Sequence, residues 1–434
     1  MVAGDTTRGY SAGTLTTEAS MPTLTLAFLA ALVLMFGLRL WLAARQMRAV
    51  RAHREAVPAP FADTITTVDH QKAADYTVAR LRVGQVDLLV DAGVLLALTV
   101  GGGLALLDAW TGGWGFGPIV HGTLTLLLLM LAMTLIGLPT DLWRTFGVEA
   151  HYGFNRTTPV LYITDTLRSL LVTVCLGGPL LALILFLMQV SGTRWWLYAW
   201  LAWTVFGVSV AFFYPRFIAP LFNQFRPLER GPLLDAVEHV MQRCGYAADG
   251  VSVMDGSRRS SHGNAYFTGF GAHKRIVLFD TLIERLNPEE VQAVLAHELG
   301  HFRLRHILRR LVMGFASAFV GFAALGYAAT RPEWFAALGV PTATAHAMLA
   351  LFVMVVPVFL FPLTPLSGWL SRRDEYAADR YAAAHAHASD LAAALVKLYR
   401  DNASTLTPDP WYSAWHDSHP PALARIHALL GQTT

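Results

Sequence analysis

An all-α, multi-pass membrane protein is what this chain should form, with a smaller, mainly helical water-exposed part carrying a β-hairpin. Three observations lead there. Hydrophobic residues make up 54 % of the 434 positions and charged residues 15 %, where soluble chains carry about 25 % charge. Seven windows are long and apolar enough to cross ~30 Å of hydrocarbon. The Lys and Arg residues gather in alternate loops, as they do when every window is a span. Disordered, collagen-like and disulfide-stapled classes are excluded by the same composition. The net charge of +3 gives no reason to expect a nucleic-acid partner. Cys175 and Cys244 make no CxxC and no ligand spacing.

The windows run over 22–38, 86–107, 117–139, 169–190, 195–214, 311–330 and 346–370. The first carries its Arg cluster after the apolar stretch and not before it, so it reads as a retained helix entering from outside and not as a cleaved signal. The second contains Asp87 and Asp91, which face either an internal chamber or the membrane interface. The seventh carries Pro357, Pro362 and Pro365, so a kink or early end is expected.

The loop after span one holds Arg45, Arg48, Arg51, Arg54, Lys72, Arg80 and Arg82, and the loop after span two holds no Lys or Arg. That asymmetry puts the N-terminus outside and the C-terminus in the cytosol. The chain then divides into 1–214 (spans one to five with basic cytosolic loops), 215–310 (water-exposed), 311–370 (spans six and seven) and 371–434 (water-exposed). The two water-exposed parts fall on one side, together large enough for a core.

The strongest motif lies in the first of them. Asn287 is a good N-cap, Pro288 suits the first helical position, and Glu289 and Glu290 suit the positive helix end. On the helix so started, His297 and His301 are four apart and present both imidazoles from one face, with Glu298 beside the first. This HExxH pattern suits two metal ligands and a carboxylate that takes a proton from an attacking water. Chance would supply it about 0.015 times in a chain of this composition. A catalytic zinc needs a third ligand. Glu375 and Asp379, four apart on a helix continuing from span seven, can supply one and hold a ligand His with the other; by themselves they also read as a solvated charged face.

Several segments together resemble the type I CAAX prenyl proteases, integral-membrane zinc endopeptidases: His297–His301, the stretch Ser261 to Phe267, Lys274 to Leu282, the run Ser371, Arg372, Glu375, Tyr376, Ala378, Asp379, and His419-Pro420-Pro421 with Arg425-Ile426. Tyr152 to Asn155 and Pro220 to Asn223 are similar as well, and seven spans is the family's number. The resemblance implies one Zn2+ per chain on His297, His301 and Glu375, with Glu298 as general base. It implies Asp379 as proton donor or as orienter of a ligand His, and His419 facing the scissile bond. Asn264, Ala265, Tyr266 and Arg372 would contact substrate. It also implies a water-filled chamber enclosed by the seven helices, and peptide or protein substrates, prenylated C-terminal CAAX peptides among them.

The residues lend some of this their own support. Residues 264–267 and 276–279 have strand composition with a turn between them over 269–274, and such a hairpin edge can bind an extended peptide. Asn264 also reads as a turn residue after Gly263, and His419 as a structural His in a Trp-rich tail. Two other functions stay open at this stage: a quality-control protease acting on non-prenylated membrane proteins, and a transporter or receptor with an incidental HExxH. The expected location is a bilayer with the zinc site on its cytosolic side, in a bacterial-type homologue of the inner membrane and not in the endoplasmic reticulum.

Overall fold

The computed structural model describes residues 15–246, 250–268 and 275–431. Among them, six helices are long and apolar enough to cross a membrane, or seven when one bent pair counts as a single span. The six run over Thr23–Ala52, Pro118–Glu149, Pro159–Val190, Gly192–Phe222, His306–Ala328 and Ala345–His385. Their outward faces carry Leu26, Val33, Leu171, Val205, Val312 and Val353, all exposed, as lipid-facing surfaces require. Their inner faces meet in an apolar cluster that includes Phe28, Leu104, Leu126, Ile184, Leu325 and Leu351.

The second window departs from the uninterrupted span expected. Helix Thr67–Leu98 ends and Gly103–Gly112 begins at a 58° bend. The glycine run at 101–103 explains the break: Gly102 takes φ +74°, a conformation that other residues adopt at a cost. The fully buried Thr99 is then met by Gly339, at φ +85°, where an added Cβ would lie 1.9 Å from the Thr99 carbonyl oxygen. In the seventh span the prolines act as expected. Ala345–Leu360 gives way to a 3-10 turn over Phe361–Leu363, and helix Thr364–His385 follows, carrying Glu375 and Asp379.

Asp87 and Asp91 line a cavity of about 520 Å³ with Arg39, Asp141, Arg144 and Tyr162. Asp87 is paired there with Arg144, and Asp91 is exposed on the same wall. A separate, apolar cavity of about 1020 Å³ lies among Leu126, Leu129, Leu180, Trp203, Phe322 and Met354.

The water-exposed part has its own core. Helices Pro232–Arg243, Pro288–Arg303, Ala388–Asp401 and Ala422–Leu430 pack with a four-stranded sheet around Val237, Ile276, Leu278, Leu295, Leu391 and Ile426. Phe61 and Ile65, from the segment after the first span, are buried in the same core. The strands are β1 (Phe225–Pro227), β2 (Val251–Met254), β3 (Ala265–Thr268) and β4 (Arg275–Phe279), in the order β1-β2-β4-β3. β3 and β4 are antiparallel, with Ala265 opposite Leu278 and Tyr266 opposite Val277. The expected hairpin is therefore present as part of a larger sheet, and its turn over 269–274 falls outside the described residues. Among the ties between the membrane helices and this part are Arg45, whose guanidinium lies 2.9 Å from Asp409, and Gln46, whose Oε1 accepts from the Asp409 N–H at 2.7 Å; Arg259 Nε reaches Asp165 at 2.8 Å from the other side.

Gly339→Ala should lower the unfolding midpoint by several degrees, for a loss of about 2 kcal/mol, because both the φ and the Thr99 contact resist a Cβ. Gly137→Ala, where no atom lies within 4 Å of the added Cβ, should leave the midpoint unchanged or raised in the same thermal scan.

Candidate active site

The helix Pro288–Arg303 starts where its sequence says it should. The Asn287 side chain accepts from the Glu290 N–H at 2.8 Å, and the Glu290 carboxylate accepts from the Asn287 N–H at 2.9 Å, a reciprocal cap. Glu290 is itself buried and held by Lys397 Nζ at 2.7 Å. The cap sets the helical phase, and two turns later that phase aims His297 and His301 into the interior.

There they meet the helix Thr364–His385. The two helices cross with almost no room between their backbones: a Cβ on Gly300 would lie 3.1 Å from the Ala378 Cα. This approach brings Glu375 onto the two imidazoles. His301 Nε2 lies 3.2 Å from Glu375 Oε1, and His297 Nε2 lies 3.5 Å from Glu375 Oε2. The two Nε2 atoms are 3.2 Å apart. All three donor atoms fall within 4.8 Å of one another. Two imidazole nitrogens and one carboxylate oxygen so close together could hold a metal ion, and the donor types suit zinc. The surroundings favour positive charge at this point. Burial pulls the His297 imidazolium down, but hydrogen bonds to Asp379 and Glu375 outweigh it, so the ring titrates above its usual value.

The next layer holds the ligands in place. His297 Nδ1 lies 2.8 Å from Asp379 Oδ1, which fixes the tautomer and leaves Nε2 free for a metal. Asp379 is in turn gripped by Arg425 through two bonds of 2.7 Å, Nε to Oδ2 and Nη2 to Oδ1. Arg425, at 5 % exposure, also reaches within 3.6 Å of Glu375 Oε2. With both oxygens so occupied, Asp379 is a fixed acceptor. It lies between His297 and Arg425 and touches both. On the other side, His301 Nδ1 lies 3.0 Å from His306 Nδ1. His306 is followed by a pairing of Asp374 with Arg309.

The remaining expected residues are placed as follows. Glu298, next to His297, has its carboxyl pushed up by burial against the pull of His297 and His301. His419 is 62 % exposed, with Nδ1 2.8 Å from Glu375 Oε2. Asn264 is exposed at the start of β3, its Oδ1 accepting from the Ala265 N–H at 2.8 Å. Ala265 is buried and Tyr266 half-buried. β3 is one of the two edge strands of the sheet among the described residues and packs against the His297 helix. Arg372 points elsewhere. Its Nη1 donates to the carbonyl of Asp417 at 2.7 Å and to that of Ser413 at 3.3 Å, binding the end of helix Pro410–His416 just before His419. Sequence reasoning gave no role to Arg425, although it lies in a segment quoted for the family resemblance. Its signal is burial and a carboxylate partner 46 residues away, neither of which a local pattern contains.

Residues 46–224 match the family model described as CAAX prenyl protease N-terminal, five membrane helices, and residues 227–433 match that of peptidase family M48. The CAAX prenyl protease 1 homolog of Mus musculus is 35 % identical over 357 residues, covering 73 % of this chain and 75 % of that protein. CAAX prenyl protease 1 of Saccharomyces cerevisiae is 36 % identical over 323 residues, 70 % of each. The homolog of Caenorhabditis elegans is 32 % identical over 432 residues, 93 % of this chain and 97 % of that one. Among solved structures, the crystal structure of S. mikatae Ste24p superposes with a TM-score of 0.86 at 28 % identity, covering 94 % of this chain and 99 % of that one.

Arg425→Leu should destabilise the protein by about 3–5 kcal/mol, since it leaves the Asp379 carboxylate buried without its cation. A thermal or denaturant unfolding curve checks this, and adding Asp379→Leu should recover a large part of the loss.

Proposed function

This chain belongs to the type I CAAX prenyl protease family within peptidase family M48, and on that premise we propose that it cleaves peptides near their C-termini, prenylated CAAX sequences among them, with one Zn2+ held by His297, His301 and Glu375. It is an integral-membrane metalloendopeptidase. The observation that carries the ligand assignment is the convergence of His297, His301 and Glu375 within 4.8 Å. Bound zinc would supply a Lewis acid that polarises the scissile carbonyl and acidifies the attacking water.

The chain's own residues do the rest. Glu298 takes the water's proton and later delivers it to the leaving amine; a carboxyl raised by burial is better matched to that double task than an exposed one. Asp379 holds His297 through Nδ1, and Arg425 holds Asp379. His419, exposed beside Glu375, faces the space a scissile peptide would occupy. An extended substrate would add to the free edge of β3, where Asn264, Ala265 and Tyr266 offer backbone and side-chain contacts. Arg372 serves by anchoring the segment that ends in His419 and not by touching substrate, a reading supported by its bonds to Ser413 and Asp417 carbonyls.

The division into 1–214, 215–310, 311–370 and 371–434 has a simple logic under this reading. Two membrane segments carry two water-exposed pieces to one face, where they complete one site. The loop cations support placing that face in the cytosol, with the N-terminus outside.

Glu298→Gln should keep zinc at the wild-type level and lower turnover of a farnesylated CAAX peptide by about 10²–10⁴-fold. Metal analysis and product release by the purified protein read the two quantities separately. Wild-type turnover in the variant would overturn the assignment of the base. Equal cleavage of farnesylated and non-prenylated peptides would move the substrate class toward general membrane-protein degradation.

A further inference from the structure

A second set of metal-type donors lies in the membrane bundle, far from His297. Asp108 stands on helix Gly103–Gly112, His121 near the start of Pro118–Leu142, and His346 near the start of Ala345–Leu360. The last of these runs on through the 3-10 turn Phe361–Leu363 to Glu375, 29 residues further along, or up to ~44 Å at 1.5 Å per residue. His346 Nε2 lies 2.5 Å from Asp108 Oδ1, and His121 Nε2 lies 3.1 Å from the same oxygen. The two rings meet edge to face at 4.8 Å. Side-chain exposures are 6 % for His346, 14 % for Asp108 and 17 % for His121. Two hydroxyls complete the ring of donors. Thr111 Oγ1 is 3.0 Å from His121 Nε2, and Thr344 Oγ1 is 3.2 Å from His346 Nε2 and 3.4 Å from Asp108 Oδ2.

Charge makes this cluster more than a hydrogen-bonded knot. Among the described residues, Asp108 has no Lys or Arg partner, and the loop after span two holds no Lys or Arg. A largely buried carboxylate needs a compensating cation. Two imidazole nitrogens and one carboxylate oxygen, each within 4.8 Å of the others, suit a first-row divalent ion better than Mg2+ or Ca2+, which prefer all-oxygen sites. The backbone also makes room for it. A Cβ on Gly122 would lie 2.7 Å from His346 Nδ1, so it is a glycine that lets the His346 ring lie against the helix carrying His121.

We propose that Asp108, His121 and His346 form a second, structural site for a divalent ion of the zinc class, which clamps three helices at the end of the bundle remote from the hydrolytic centre. The ion would neutralise Asp108 and join the short helix after the Thr99 bend to the two spans beside it. The hydrolytic assignment is not needed for this, and the two are tested apart.

The experiment uses the full chain carrying His297→Ala and His301→Ala, which lacks the first site. After loading with Zn2+ and desalting in detergent, it should retain about one ion per chain, and adding Asp108→Asn or His121→Asn should cut that below about 0.2. Zn2+ should also raise the unfolding midpoint of the double variant by a few degrees, and do so no longer once Asp108→Asn is present. A monodisperse double variant that holds no zinc overturns the proposal without any change at the cluster itself. Equal zinc with and without Asp108→Asn overturns it too, and an imidazolium–carboxylate clamp then takes its place.

Discussion

The close crossing of two helix backbones is the contact on which the arrangement of the site depends. Gly300 meets Ala378 so closely that a side chain at 300 would reach within 3.1 Å of the opposing Cα. Because of that approach, Glu375 lands between His297 and His301 and Asp379 lands behind His297. The cap at Asn287 and the salt bridge from Lys397 to Glu290 fix the rotation of one helix. Arg425 fixes the other through Asp379.

The site's buried charges form one chain of alternating sign. Arg425 compensates Asp379, Asp379 orients His297, and Glu375 lies against both imidazoles and His419. Each member is costly alone in a low-dielectric interior and acceptable only because its neighbours are in place. Such a network tolerates little loss, and it also rigidifies the donor atoms before any ligand arrives. Rigid donors are what a catalytic metal position requires, since a coordination geometry assembled afresh on each binding event would cost ordering entropy.

The membrane bundle and the peptidase core are built from interleaved pieces of sequence. Phe61 and Ile65, which follow the first span, lie in the peptidase core. Arg45 and Gln46, at the end of that span, hold Asp409, and Arg372 holds the far end of the helix that Asp409 caps. His419 therefore takes its place from residues on the first and last spans together. The polar cavity around Asp87 and Arg144 also pairs charges from different helices.

Much of this was legible in the amino-acid sequence because it depends on near neighbours. Hydropathy over 20 residues reveals a span whatever it packs against, and the i,i+4 spacing of His297 and His301 puts them on one face of any helix. Pro362 and Pro365 of the seventh window sit in the 3-10 turn after its first helix and at the start of the next, a break whose reason is internal to the chain. The bend at Thr99 was harder to see, because the glycine run permits it but the contact with Gly339, far along the chain, makes use of it. What only the tertiary structure decided are the pairings between distant residues. Asp379 is held by Arg425, Arg372 is bonded to the backbone carbonyls of Ser413 and Asp417, and Asp108 meets His346 across 238 residues. Short-range periodicity carries no record of such meetings. They arise from which helix faces come together when apolar surface is buried, and that is a property of the whole chain at once.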